Sequence, residues 1–119
     1  MIRRIIQGVK RRVLGIQDKA GYRQYLFEDL QAYLRGRHVD LALEIGPKDG
    51  QDTRRLLTLA PKRLTLIDLP RLEESNRMWL QKINSPKIEY ISANLMYSEV
   101  VADLKPFNLV WCTGVLYHN

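Results

Sequence analysis

The sequence predicts an α/β fold, a partial doubly wound parallel sheet preceded by two N-terminal helices. Three observations predict it. From Val39 onward, short apolar runs alternate with short stretches of helical spacing. Turn residues sit where strands should begin, at Ala60-Pro61-Lys62, Ser85-Pro86-Lys87 and Lys105-Pro106-Phe107. A glycine-bearing turn, Glu44-Ile45-Gly46-Pro47-Lys48-Asp49-Gly50, follows the first apolar run, and a lone acid, Asp68, ends the second.

The elements follow in order. Ile2, Ile5, Ile6, Val9 and Val13 recur at helical spacing, with Gly8 weakening that helix and Gly15 marking its end. A second helix is expected over 22–35, with Tyr22, Tyr25, Leu26, Leu30, Tyr33 and Leu34 on one face and Gly36 at its C-terminal end. Strands are expected at 39–45, 63–68, 87–92 and 107–112. Three helices are expected between them. Asp52 or Thr53 caps the first, which presents Leu56, Leu57 and Ala60. The second, near 71–83, offers Leu72, Trp79, Leu80 and Ile83. Ser98 caps the third, with Val100, Val101 and Leu104 facing inward. The chain thus divides into residues 1–38, basic and amphipathic, and residues 39–119, the α/β part.

Charge is uneven. The net charge is +6, yet Arg3, Arg4, Lys10, Arg11 and Arg12 put +5 into residues 1–15, which hold no acid. That arm has three readings: a cap helix docked on the domain, a peripheral contact with an anionic membrane, or a phosphate-binding segment for RNA. No apolar run is long enough for a transmembrane segment, and the N-terminus lacks a signal-peptide pattern. Cys112 is the only cysteine, so no internal disulfide and no cysteine-based zinc site is expected, and a cytoplasmic setting fits best. No metal site is expected, and His38 falls in the loop entering the first strand. Trp111 is expected in the core, and Cys112 reads as a small buried residue, not a nucleophile.

The turn at Gly46–Gly50 suits close approach of a ligand to the backbone, because glycine lacks a Cβ and accepts positive φ. Alone, it fits an ordinary strand-to-helix turn equally well. Asp68 adds weight, for it lies 22 positions beyond Gly46, near the separation of about 20 that places an acid on a ribose in such folds. Its other reading is a cap on the following helix. A dinucleotide dehydrogenase wants Gly-x-Gly-x-x-Gly, and Gly46-Pro47-Lys48 breaks that pattern.

With these residues in place, the stretch 39–119 resembles the class I S-adenosylmethionine-dependent methyltransferases, which carry a Rossmann-like sheet. The family's first motif, E/D-x-G-x-G-x-G, is met by Glu44, Gly46 and Gly50, with Lys48 replacing the middle glycine. The family's acid after the second strand matches Asp68. Asn94, in Ile91-Ser92-Ala93-Asn94-Leu95, stands where an acid often holds the adenine amine. Cys112-Thr113-Gly114-Val115-Leu116-Tyr117-His118 looks like the G-V-L-Y-H segment of methyltransferases acting on small molecules and tRNA wobble uridines.

The resemblance implies S-adenosyl-L-methionine as cofactor. Glu44, Gly46 and Gly50 would shape the pocket for its methionine end. Asp68, with Leu69 beside it, would take the ribose hydroxyls. Asn94 and Leu95 would flank the adenine, and Cys112, Thr113 and Gly114 would line the transferable methyl. Tyr117 and His118 become the candidate catalytic pair, His118 as a base near neutral pH. Against that, Tyr117 packs and His118 is a rim residue, since methyl transfer needs mainly in-line geometry. A small-molecule or glycan acceptor is expected first and RNA second. The family's sheet continues beyond a fourth strand, so little turnover is expected of this chain alone. The competing class is a non-catalytic module that pairs with a partner along the fourth strand.

Overall fold

The structure is a computed structural model and describes residues 19–113. The expected helix over 2–14, the basic arm, Gly114, Tyr117 and His118 lie outside the described residues. The chain divides into two compact units, Met1–Arg37 and His38–Asn119.

In the first unit, α1 spans Lys19–Leu34. Its end is built from two left-handed residues, Arg35 (φ 50°) and Gly36 (φ 77°). Arg37 then turns back, donating from its guanidinium to the carbonyls of Leu34 and Tyr33 at 3.0 and 2.9 Å. A cation at a helix C-terminus satisfies carbonyls that have no intrahelical partner. Tyr33, expected on the apolar face, is 59% exposed, and the Arg37 guanidinium lies 5.1 Å from its ring centroid.

The second unit is a four-stranded, all-parallel sheet with flanking helices. Its elements run β1 (Leu41–Ile45), α2 (Gln51–Leu57), β2 (Arg63–Asp68), a 3₁₀ turn (Pro70–Leu72), α3 (Glu73–Ile83), β3 (Ile88–Ser92), α4 (Ser98–Asp103) and β4 (Leu109–Cys112). The strand order is β3-β2-β1-β4. Strands expected at 39–45 and 107–112 begin two residues later than the pattern suggests. The reason is local: the Asn108 side-chain oxygen accepts the Leu41 N–H at 2.9 Å, so a side chain stands in for a backbone rung at the amino ends of β1 and β4.

Register sorts the side chains. Glu44, Leu66, Tyr90 and Trp111 are in register across the sheet and share one face. That face meets α2 and α3, through Thr53 to Glu44 and Asn76 to Tyr90. Leu64, Leu66 and Ile67 of β2 are essentially inaccessible, as is Leu56 of α2. Burying each such side chain contributes roughly 1.5–3 kcal/mol, so β2 and its neighbours are the core. α2 and α3 thus cover the same face, and a right-handed crossover would put α4, which carries the chain back, on the other.

Three expectations about helix ends and faces are corrected. Neither Asp52 nor Thr53 caps α2. Gly50 holds the N-cap position in a left-handed conformation, and Asp49 accepts the Gln51 N–H at 3.1 Å. Ser98 does not cap α4, because Tyr97 occupies that position without a side-chain hydrogen bond. Val101 does not face inward and is 53% exposed.

Candidate functional site

The sheet order creates one place where connections part company. From β1 the chain moves outward to β2 and β3, then returns to lay β4 on the other side of β1. In open parallel sheets, ligands bind outside the carboxyl ends of strands at such a point, because diverging loops leave a crevice there. The residues following β1, β2, β3 and β4 are Gly46, Leu69, Ala93 and Thr113. The sequence-predicted positions Glu44, Gly46, Asp68, Leu69, Asn94, Leu95, Cys112 and Thr113 therefore gather at this end of the sheet.

The turn after β1 is held by backbone. Gly46 takes φ 67° and donates its N–H to Ile67 O at 2.9 Å, while the Gly50 N–H reaches Pro47 O at 3.1 Å. Lys48 is also left-handed, at φ 59°. The turn demands positive φ where the methyltransferase pattern has glycine, and lysine accepts it at a cost of about 1–2 kcal/mol. Its side chain is exposed. Gly50 meets a different demand. A Cβ there would lie 2.5 Å from Trp79 Cε3, so the glycine admits the indole of α3 against the start of α2.

Glu44 is 1% exposed and accepts the Thr53 hydroxyl, which turns its side chain toward α2. Asp52 is 2% exposed, and its Oδ2 accepts both the Trp111 indole N–H (3.1 Å) and the Thr113 hydroxyl (3.0 Å). Its Oδ1 accepts Arg55 at 2.6 Å. One carboxylate thus joins the first turn of α2 to the end of β4, across the point where the chain reverses direction.

Asp68 has the most exposure of the buried polar residues, at 9%. Its Oδ1 accepts the Leu69 N–H at 2.8 Å and its Oδ2 accepts Asn76 Nδ2 at 3.0 Å. Pro70 keeps the preceding Leu69 extended (ψ 145°). Each carboxylate oxygen accepts two hydrogen bonds, so one site per oxygen remains. Asn94 forms a turn, its Oδ1 accepting the Met96 N–H at 2.9 Å and its carbonyl accepting the Tyr97 N–H at 3.1 Å. The amide oxygen expected to meet an adenine amine already holds one partner and keeps one lone pair.

Cys112 corrects the expectation of a buried residue, for it is exposed. Desolvation by the protein around the thiol nevertheless raises its pKa above the ordinary value. A raised pKa keeps the thiol protonated at neutral pH, and the thiolate is the nucleophile. Alkylation by iodoacetamide at pH 7 is expected to run slower than for a free cysteine, and to accelerate as pH rises. A rate at pH 7 above that of free cysteine would contradict this assignment. Trp111 is buried, as expected. His38 pairs with Asp40 at 2.9 Å on the surface. Among the described residues no cluster of three or more His, Cys, Asp or Glu side chains is placed to hold a metal, and no described helix is long and apolar enough to cross a membrane.

Asp52, Thr53, Asn76 and Trp79 form the site's interior contacts, and sequence reasoning gave them no such part. One signal was present. Leu72, Asn76, Trp79, Leu80 and Ile83 fall on one helical stripe, and a lone amide in an apolar stripe points to a buried partner. No family model, no curated protein and no solved structure matches this chain.

Proposed function

We propose that this chain binds S-adenosylmethionine at the carboxyl ends of β1, β2, β3 and β4, as the cofactor-binding part of a Rossmann-like methyltransferase. The observation that carries the reading is the strand order β3-β2-β1-β4, with the Gly46 turn and Asp68 at the same end of adjacent strands. The polar groups present suit the cofactor. Asp68 offers two remaining acceptor positions to ribose hydroxyls, Asn94 keeps amide capacity for an adenine edge, and the Gly46 turn presents backbone without a Cβ.

S-adenosylmethionine, when bound, supplies an activated methyl group on a sulfonium leaving group. The chain's own residues bind and orient. Asp68, with Leu69 beside it, accepts from the ribose, Asn94 and Leu95 flank the adenine, and Thr113 is held by Asp52 at the end of β4. Tyr117 and His118 would face the acceptor, which we take to be a small molecule or glycan, with RNA as the alternative. A cytoplasmic setting belongs to the same reading, and for the basic arm a docked cap helix stands beside contact with RNA or an anionic membrane.

Calorimetric titration with S-adenosylhomocysteine tests it. Binding is expected in the unsubstituted chain and is expected to fall at least tenfold in Asp68→Asn, which keeps the shape and removes the charge. A folded chain that does not bind S-adenosylhomocysteine sinks the proposal. One observation favours a second reading, a partner-binding module: β4 is an edge strand, and its Val110 is 55% exposed. A defined assembly that is lost in Val110→Lys, with no ligand binding, would establish that reading instead.

A further inference from the structure

A buried chain of polar contacts runs behind Asp68. Asn76 is 1% exposed. Its Nδ2 donates to Asp68 Oδ2 and to the Tyr90 hydroxyl, both at 3.0 Å, and its Oδ1 accepts the Trp79 indole N–H at 3.0 Å. Both amide hydrogens are used, and the oxygen is held by a group that can only donate. Flipping the amide would set its oxygen against the carboxylate and its NH₂ against the indole N–H. The orientation of Asn76 is therefore locked, and with it the rotation of the Asp68 carboxylate.

The other carboxylate oxygen is locked from the backbone side by the Leu69 N–H. Each oxygen thus has one lone pair committed to the protein and one left over. Two acceptor positions side by side on a planar, fixed carboxylate match two neighbouring hydroxyl donors. We propose that Asn76, oriented by Trp79 and Tyr90, is a positioning residue that makes Asp68 selective for a vicinal diol, as in the ribose of an adenosine-containing ligand. This rests on the reading of Asp68 as a ligand-binding acid and adds the residue that determines its specificity. Without Asn76 only the Leu69 N–H restrains the carboxylate, its Oδ2 loses its fixed position, and two-point recognition weakens toward one-point.

The test compares affinities for S-adenosylhomocysteine and its 2′-deoxy analogue, and for adenosine and 2′-deoxyadenosine. The unsubstituted chain is expected to prefer each diol by about tenfold or more. In Asn76→Leu the diol form is expected to lose about tenfold while the deoxy form changes less than twofold. Trp79→Phe keeps an aromatic ring but drops the indole N–H, and is expected to show the same change in smaller degree. It decides the matter should Asn76→Leu fail to fold. A general loss of structure would weaken both ligands equally, so the ratio separates positioning from stability. Equal binding of diol and deoxy forms by the unsubstituted chain overturns the proposal, as does an unchanged ratio in a folded variant. Diol-selective binding of adenosine without added affinity for S-adenosylhomocysteine would support Asn76 while removing the methyltransferase reading. Binding of neither would remove both.

Discussion

Gly50→Ala is expected to destabilise the α/β unit by about 3 kcal/mol. Two costs add. Residue 50 takes φ 84°, a conformation that disfavours any side chain with a Cβ. The new methyl would also point into the six-membered ring of Trp79, with Cε3 at 2.5 Å and Cζ3 at 2.9 Å. The ring cannot simply move aside, because its N–H is tied to Asn76 Oδ1. Urea unfolding with and without Trp79→Leu separates the terms. The double variant should recover the steric part, roughly 1 kcal/mol or more, and retain the backbone part. A midpoint unchanged in Gly50→Ala would show that the indole does not rest on this turn.

Asp52→Ala should cost a similar amount, about 3 kcal/mol, by a different route. The carboxylate accepts from Trp111, Thr113 and Arg55 and is almost fully buried. Removing it takes the acceptor from an indole N–H in the core and from a threonine hydroxyl at the end of β4. It also takes from Arg55 a carboxylate partner at 2.6 Å, on a side chain that is 19% exposed. Trp111→Phe, which keeps the ring and loses the N–H, should cost about 1 kcal/mol. A double-mutant cycle between the two positions should return a coupling of at least 0.5 kcal/mol. Full additivity would mean that the link between α2 and β4 does not hold the strand.

The layout of the sheet was legible in the sequence because its signals are local. Apolar runs of four to six residues, bounded by Pro61, Pro86 and Pro106, mark the strands to within two residues. Gly46 and Asp68 stood out because turn geometry and chain spacing are one-dimensional properties. The contacts behind them were not legible. Asp52 and Thr53 have the chemistry of helix caps and sit where caps are common, so propensity assigned them that part. Instead, the left-handed Gly50 begins the helix and frees both side chains to reach β1 and β4. Asp52 and Trp111 are 59 positions apart, and no local pattern records that meeting. Cys112 misled for a related reason. Strand residues alternate sides, and the residue before it, Trp111, took the covered side.

The central strand also orders events in time. β1 pairs with β2 across a short stretch of chain, but meets β4 only by closing a loop of about 67 residues. Loop closure grows costlier with length, by about 0.6 kcal/mol per doubling, and the longer one is repaid only after its contacts form. Pairing of β1, β2 and β3 is therefore expected to precede that of β4, whose arrival brings Trp111 and Thr113 to the Asp52 carboxylate. The two tryptophans fall on opposite sides of this sequence, Trp79 in the early part and Trp111 in the late strand. Weakening β4 is therefore expected to hasten unfolding more than it delays folding.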